Sequence, residues 1–365
     1  MAYQVTLKPS GHTYETAGDA TLLQSALDAG LTLPYGCRDG ACVTCKAKLL
    51  DGSVDHGKAQ EHALPESERR DHVLTCCARA LSAVTLEVRE VSSQKDIPVR
   101  TMPCRVHELR RLADDVMLLK LKLPSNERLQ FLAGQYIEFL LPEGKRRAFS
   151  MANAPHEDEI IELHLRHVPG GNFTDHVFTA MKLKDILRFE GPLGTFHLRE
   201  DSTKPIVMVA GGTGFAPIKA LIEHAIHNHI ARPIAFYWGA KNRAELYLPD
   251  LPPQWTAAHP NITYVPVLSE PTAADAWTGR TGFVHLAVLE DFKDLSGHQA
   301  YVCGAPVMVE AAQRDFIARG LPADGFEDGL IDDFDYFIWR ENFGHTSASG
   351  ASAIAAQAVP EPEAL

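Results

Sequence analysis

The chain has 365 residues, with 35 Lys and Arg against 47 Asp and Glu, for a formal net charge of −12 at pH 7. That balance excludes a nucleic-acid binder, whose phosphate contacts need clustered cations, and the length calls for two or three domains. No apolar run approaches the roughly 20 residues of a membrane span, and MAYQVTLKPSGHTYET lacks the basic stretch and apolar core of a secretory leader, so a cytoplasmic protein with no membrane span is expected. Along the chain, alternation in YQVTLK predicts a strand, and TLLQSALDAG predicts a helix ended by Gly30. With the alternating AVTLEVRE further on, residues 1–93 read as one α+β unit.

Seven cysteines stand at 37, 42, 45, 76, 77, 104 and 303, the first three within nine residues, unlike the spread of a disulfide framework. PYGCRDGACVTC spaces them as C-x4-C-x2-C, and a fourth thiolate stands at Cys76 or Cys77. This is the spacing of plant-type [2Fe–2S] ligation. A short loop delivering three thiolates must wrap tightly, and Gly36, Gly40 and Ala41 allow it. Structural zinc favours two C-x2-C-like pairs, and the loop has one. Cys104 has no partner at ligand spacing and reads as structural.

The polar stretch SSQKDIP has no periodicity and ends in proline, so residues 94–103 are expected to form a linker. In residues 104–200, the runs VMLLKLKL, QYIEFLL and IIELHLRHV, separated by Pro and Gly, predict a small antiparallel barrel. Within RRAFS, Arg147, Phe149 and Ser150 are read as sharing one face of an extended segment. There a guanidinium suits a phosphate, a ring suits a flat heterocycle, and a hydroxyl suits a ring nitrogen. Farther on, PGGNFT supplies Gly170, Gly171 and Thr174 in a loop suited to a second phosphate.

From Pro205 the pattern changes. PIVMVA is a continuous apolar strand, Gly211, Gly212, Thr213 and Gly214 follow, and FAPIKALIEHAIHNHI has helical periodicity. The glycine turn offers amides and a helix N-terminus to a pyrophosphate, without the G-x-G-x-x-G fingerprint. Strands IAFYWGA, ITYVPVL and QAYVCG continue the pattern, so residues 201–326 are expected to form a doubly wound parallel sheet.

Together RRAFS, GGTGFAP and YVCGAPVM make the chain resemble the ferredoxin–NAD(P)H reductase superfamily from about residue 3 to 326, in the order ferredoxin, flavin domain, nicotinamide domain. LTCCA, AGQYIEF, RRAFSMANAP and WTGRTGFVHLAVLED are similar to its CDP-6-deoxy-delta-3,4-glucoseen reductase group. The resemblance implies a β-grasp-like ferredoxin domain, a β-barrel flavin domain and cofactors [2Fe–2S], FAD and NADH. It implies Cys37, Cys42, Cys45 and Cys76 as cluster ligands, since related ferredoxins place a small or polar residue after the last one. It puts Arg147 on the flavin pyrophosphate, Phe149, in place of the commoner Tyr, against the flavin, and Ser150 at the isoalloxazine edge. His164 and Arg166 line the flavin, Gly171 and Thr174 form its phosphate loop, and Gly211 to Gly214, Cys303, Gly304 and Pro306 form the nicotinamide site, with Cys303 near the hydride path. Members using NADPH tend to place a basic residue where this chain reads VLSEP, and Glu270 there would repel a 2′-phosphate.

Nicotinamide gives two electrons as hydride and a [2Fe–2S] cluster takes one at a time, so a flavin must stand between them. The expected activity is therefore electron transfer from NADH through FAD and the cluster to a partner enzyme, a sugar dehydratase or an oxygenase component. The alternative is an iron–sulfur module whose altered C-terminus disables turnover. Residues 327–365 hold eight acidic residues against Arg340 alone, most of the chain's net charge. Asp324, Asp328, Gly329, Ile331, Asp332 and Asp335 match six positions of a calcium loop. The segment resembles a dockerin-type repeat followed by the VPEP of a sorting signal. Phe326 stands where an oxygen ligand is needed, and the expectation is an acidic, disordered tail.

Overall fold

Alternation at the N-terminus becomes a hairpin, β1 (Ala2–Lys8) with β2 (Thr13–Ala17), in a computed structural model that describes residues 2–29, 31, 33–35, 40, 41, 43, 45–88, 97–124 and 129–328. Cys37, Cys42, Gly30 and residues 329–365, with the roles expected of them, lie outside the described residues. Helix α1 (Leu22–Asp28) starts where the Thr21 hydroxyl accepts from the Gln24 amide, and it buries Leu22, Leu23 and Ala26. It packs beside β2, where Tyr14 donates to the Leu22 carbonyl and Thr16 meets Ser25 at 2.7 Å. After β3 (Lys46–Asp51), β4 (Val54–Asp55), β5 (His72–Leu74), β6 (Arg79–Ala80) and β7 (Val84–Glu87), the main sheet runs β2-β1-β7-β3-β5. Only β1 and β7 pair in parallel, which gives the mixed sheet of a β-grasp.

The second domain begins at β8 (Arg100–Ala113), so four residues read as linker belong to a 14-residue strand. The strand carries on because Met102 alternates with Cys104 and Val106 as buried residues. It is joined by β9 (Val116–Lys122), β10 (Tyr136–Leu140), β11 (Arg146–Ser150), β12 (Ile160–Arg166) and, after helix α2 (Asn172–Thr179), β13 (Ile186–Leu193). The antiparallel order is β11-β10-β13-β8-β9-β12, and a bridge between Met151 and Leu163 joins the two edges into a barrel around Leu119, Ile137, Phe139, Leu163 and Phe189.

The third domain holds β14 (Ile206–Gly211), α3 (Phe215–His227), β15 (Ile234–Ala240), α4 (Leu251–Ala258), β16 (Ile262–Leu268), β17 (Arg280–Thr281), α5 (Val284–Asp291), β18 (Gln299–Cys303), α6 (Pro306–Ala318) and β19 (Phe326–Asp328). Its all-parallel order, β17-β16-β15-β14-β18-β19, reverses direction between β14 and β18. One apolar cluster includes α3 and α4, the other α5 and α6, so helices cover both faces. The sheet runs two residues past the boundary read from sequence. Phe326–Asp328 pair with Ala300–Val302 as a strand, so within the calcium-loop match Asp328 is edge strand and Asp324 lies in the short helical turn before it. Among the described residues no helix is long and apolar enough to cross a membrane.

The ferredoxin-like domain is tied to the barrel by Thr195, whose hydroxyl accepts from the Tyr35 amide at 3.3 Å and donates to the Tyr35 carbonyl at 3.2 Å, both buried. Replacing it by Val (Thr195→Val) keeps the volume and removes both hydrogen bonds to Tyr35, at a cost of about 1–3 kcal/mol. Hydrogen exchange at Leu33–Tyr35 is expected to accelerate in this variant while exchange in β8–β9 stays as in the parent.

Candidate functional site

Cys45 stands just before β3 and Cys76 two residues after β5, and the antiparallel pairing of Lys46 with Leu74 carries both to one end of the pair. Their sulfurs approach to 3.1 Å, both buried. A disulfide needs about 2.05 Å, so this is a convergent, unbonded pair of soft donors, which fits half of a four-thiolate cluster site. Cys77 lies 3.6 Å from the Cys76 sulfur, and a Cβ on Gly40, at φ +81°, would stand 2.8 Å from the Cys77 sulfur. Gly40 therefore lets the loop close over Cys77. Burial pushes the Cys104 thiol up to about 12, in keeping with a structural role.

In the barrel, β11 is extended as expected, but its alternation corrects the reading of one shared face. Arg147 opposes Phe139, Phe149 opposes Ile137 and Ser150 opposes Tyr136, so Ser150 falls on the opposite side from Arg147 and Phe149. Phe149 is buried in the barrel core, its ring 5.6 Å from Phe173 and 5.9 Å from Phe139. Without a hydroxyl to satisfy, this ring packs against the barrel interior. Arg146 is ion-paired, 3.0 Å from both Glu138 and Glu190. Arg147 donates to the Arg146 carbonyl and remains half-buried. Gly171 caps α2, but the Thr174 hydroxyl donates to the Val168 carbonyl and accepts from the Val168 amide, so it pins the loop internally and has no free proton for a phosphate.

The sheet reversal in the third domain opens a crevice at the carboxyl ends of β14 and β18, the place where open α/β sheets bind ligands. Gly211 to Gly214 leave β14 there and turn into α3, while Cys303, Gly304 and Pro306 leave β18 and turn into α6. The two turns touch. A Cβ on Gly214 would collide with the Cys303 carbonyl, and one on Gly211 would stand 2.7 Å from Met308 Sδ. Gly212, at φ +54°, accepts a hydrogen bond from Trp238 Nε1 at 3.0 Å. Cys303 is buried at the carboxyl end of β18, and that burial pushes its thiol up. Glu270 is exposed at the carboxyl end of β16, its amide donating to the carbonyl of Lys241, which follows β15.

Between barrel and third domain runs a polar contact that motif reading missed. Glu162, His164 and Arg166 alternate along β12 and so face one way. Glu162 Oε1 accepts from His164 Nε2 at 3.1 Å and lies 3.2 Å from Lys219 Nζ on α3. His164 Nδ1 then accepts from the Tyr247 hydroxyl at 3.0 Å. Arg166 pairs with Asp115 at 2.9 Å and Glu245 at 3.6 Å. Both ring nitrogens of His164 thus have protein partners. Arg166 differs. Its Nη2 is buried without a partner, and a Cβ on Gly212 would stand 3.1 Å from it. An unsatisfied guanidinium donor against a bare glycine turn fits an anionic or carbonyl-bearing cofactor at this junction. The signal for the contact was present in the alternation of I-E-L-H-L-R and in a lysine set within the apolar start of α3.

Burial lowers the His164 pKa. Burial alone would raise Glu162, but the His164 hydrogen bond and the charges of Lys219 and Lys120 hold it well below the usual carboxylate range. The two shifts have one sign, because the unfolded chain binds more protons than the folded one below 6.5 for the histidine and below 4.5 for the carboxylate. Stability is therefore expected to fall on acidification, first below 6.5 and again below 4.5. A series of Tm measurements from neutral to acid pH reads this, and His164→Gln is expected to flatten its upper part. For the cluster, Cys76→Ala is expected to abolish the visible absorbance of the iron–sulfur centre and Cys77→Ala to retain it; the reverse result would reassign the ligand.

Comparison with known proteins agrees with this geometry. Three family models match in succession: the 2Fe-2S iron-sulfur cluster binding domain over residues 5–81, the oxidoreductase FAD-binding domain over 103–198 and the oxidoreductase NAD-binding domain over 208–314. The chain is 42% identical over 327 residues to the CDP-6-deoxy-L-threo-D-glycero-4-hexulose-3-dehydrase reductase of Yersinia pestis, covering 89% of this chain and 97% of that one. It is 35% identical to the phenol 2-monooxygenase reductase component DmpP of Pseudomonas sp. (strain CF600), covering 98% and 99%. Among solved structures, the Amycolatopsis cytochrome P450 reductase GcoB is similar with a TM-score of 0.73 and 35% identity over 89% of this chain and 98% of that one. The chain belongs to the ferredoxin–NAD(P)H reductase superfamily, as an oxidoreductase that joins [2Fe–2S], FAD and NAD domains in one polypeptide.

Proposed function

We propose that the chain takes hydride from NADH at the β14–β18 crevice and passes single electrons through a cluster on Cys37, Cys42, Cys45 and Cys76 to a partner enzyme. Bound FAD supplies the conversion between a two-electron donor and a one-electron carrier. The observation that carries the reading is the arrangement of the barrel between the other two domains. It meets the Cys45–Cys76 domain through Thr195 and Tyr35, and the glycine turn through Arg166. In this reading Arg147 holds the flavin pyrophosphate and Ser150 faces the ring edge. Gly211–Gly214 give the dinucleotide close backbone approach, and Gly304 and Pro306 shape the opposite wall. Cys303 bounds the pocket sterically.

For the partner, the 42% relative favours a dehydratase of a nucleotide-linked deoxysugar. The near-full-length match to a phenol monooxygenase component, together with the P450 reductase neighbour, favours an oxygenase as the second reading. Purified dehydratase and oxygenase components added to the NADH-reduced protein separate the two, since only the true acceptor accelerates reoxidation. A cytoplasmic setting suits ligand cysteines kept as thiols.

With cytochrome c or ferricyanide as acceptor, kcat/KM for NADH is expected to exceed that for NADPH by about 10-fold, which is about 1.4 kcal/mol. Glu270→Lys is expected to narrow the gap. Higher efficiency with NADPH would refute the NADH assignment, and no turnover with either would favour an iron–sulfur module without reductase activity.

A further inference from the structure

Lys219 is a buried cation at the interface between barrel and third domain. Its side chain is 9% exposed, and its ammonium has three partners: the Ala152 carbonyl at 3.0 Å, Glu162 at 3.2 Å and Glu223 at 2.8 Å. These partners come from three places. Ala152 lies two residues beyond Ser150 at the end of the flavin-side strand, Glu162 lies on β12, and Glu223 is one turn farther along α3. Lys219 itself stands five residues after Gly214, on the helix that begins at the glycine turn. One ammonium thus fixes the flavin-side strand of one domain against the nicotinamide-side helix of the other. Glu162 passes the constraint to His164, and His164 to Tyr247 of the third domain.

Three donors with three acceptors at fixed positions define a location, whereas an apolar contact in the same place would tolerate sliding. A lysine sealed between two carboxylates is also costly to disturb, since removing one partner of a buried pair leaves an uncompensated charge. Burial of this kind is not needed to hold two domains together, because apolar residues of similar size would do so at least as well.

We infer that Lys219, with Glu162, His164 and Tyr247, is a positioning device that sets the register of the nicotinamide domain on the flavin barrel and so the geometry of hydride transfer. This rests on the proposed NADH-to-FAD step. None of the four touches the reacting atoms in this assignment; each acts through the strand or helix it fixes. Small misplacement is enough to slow such a step, by about 10- to 100-fold for shifts near 1 Å.

The test uses the holoprotein carrying FAD and cluster, with Lys219→Met to keep the length and remove the charge. Cluster and flavin absorbance are expected at parental levels. The rate of NADH-driven flavin bleaching in stopped flow is expected to fall about 10-fold or more. The long-wavelength charge-transfer band formed when NAD is added to the dithionite-reduced protein is expected to weaken, because it reports ring stacking. Lys219→Arg is expected to restore part of both. A folded Lys219→Met protein with parental bleaching rate and band, whatever its Tm, overturns the inference. If that variant does not fold, Tyr247→Phe, which deletes one hydroxyl, carries the same test and the same two outcomes. Parental protein that NADH fails to bleach overturns the functional reading along with this one, whereas bleaching that is equal in parent and variants overturns this one alone.

Discussion

An antiparallel sheet has two edges with unpaired backbone groups, and the barrel removes both at a single seam. Met151 bridges Leu163, and the Ala152 amide donates to the Glu162 carbonyl at 2.7 Å, so the last residues of the flavin-side strand lie directly on β12. Much else in the molecule depends on that closure. The Asn153 side chain accepts from the Glu162 amide and donates to the Glu157 and Ile160 carbonyls, which holds the turn between β11 and β12. The same seam presents Ala152 and Glu162 to Lys219. The line where the barrel closes on itself is therefore also the line on which the nicotinamide domain is seated.

Elements with a strong period were legible in the sequence, as were motifs whose chemistry is local. YQVTLK, VMLLKLKL and IIELHLRHV became β1, β9 and β12 because alternation needs only one buried face to enforce it. The glycine turn was legible because it must sit between a continuous apolar strand and a helix. The spacing left Cys76 and Cys77 open as the fourth thiolate, and nothing in it shows that Cys77 packs under Gly40.

What escaped was nonlocal. Motif reading assigns His164 to a ligand, yet its two nitrogens are held by residues 2 and 83 positions away. The packing of Phe149 against Phe139 and Phe173 is likewise nonlocal, since no local pattern links those rings to it. The parity of Arg147 and Ser150 was available in the sequence and is a direct result of a period of two. The linker ended earlier than composition suggested because barrel pairing with β13 reaches back to Arg100.

The burial of the two cysteines outside the cluster region gives them a further use. Cys104 is enclosed in the barrel core and Cys303 in the nicotinamide domain, each at most 2% exposed. A thiol that reacts only when its surroundings open is a native clock of local unfolding. Timed alkylation followed by peptide mapping would therefore read the opening of the two domains separately, in one sample and without any introduced label.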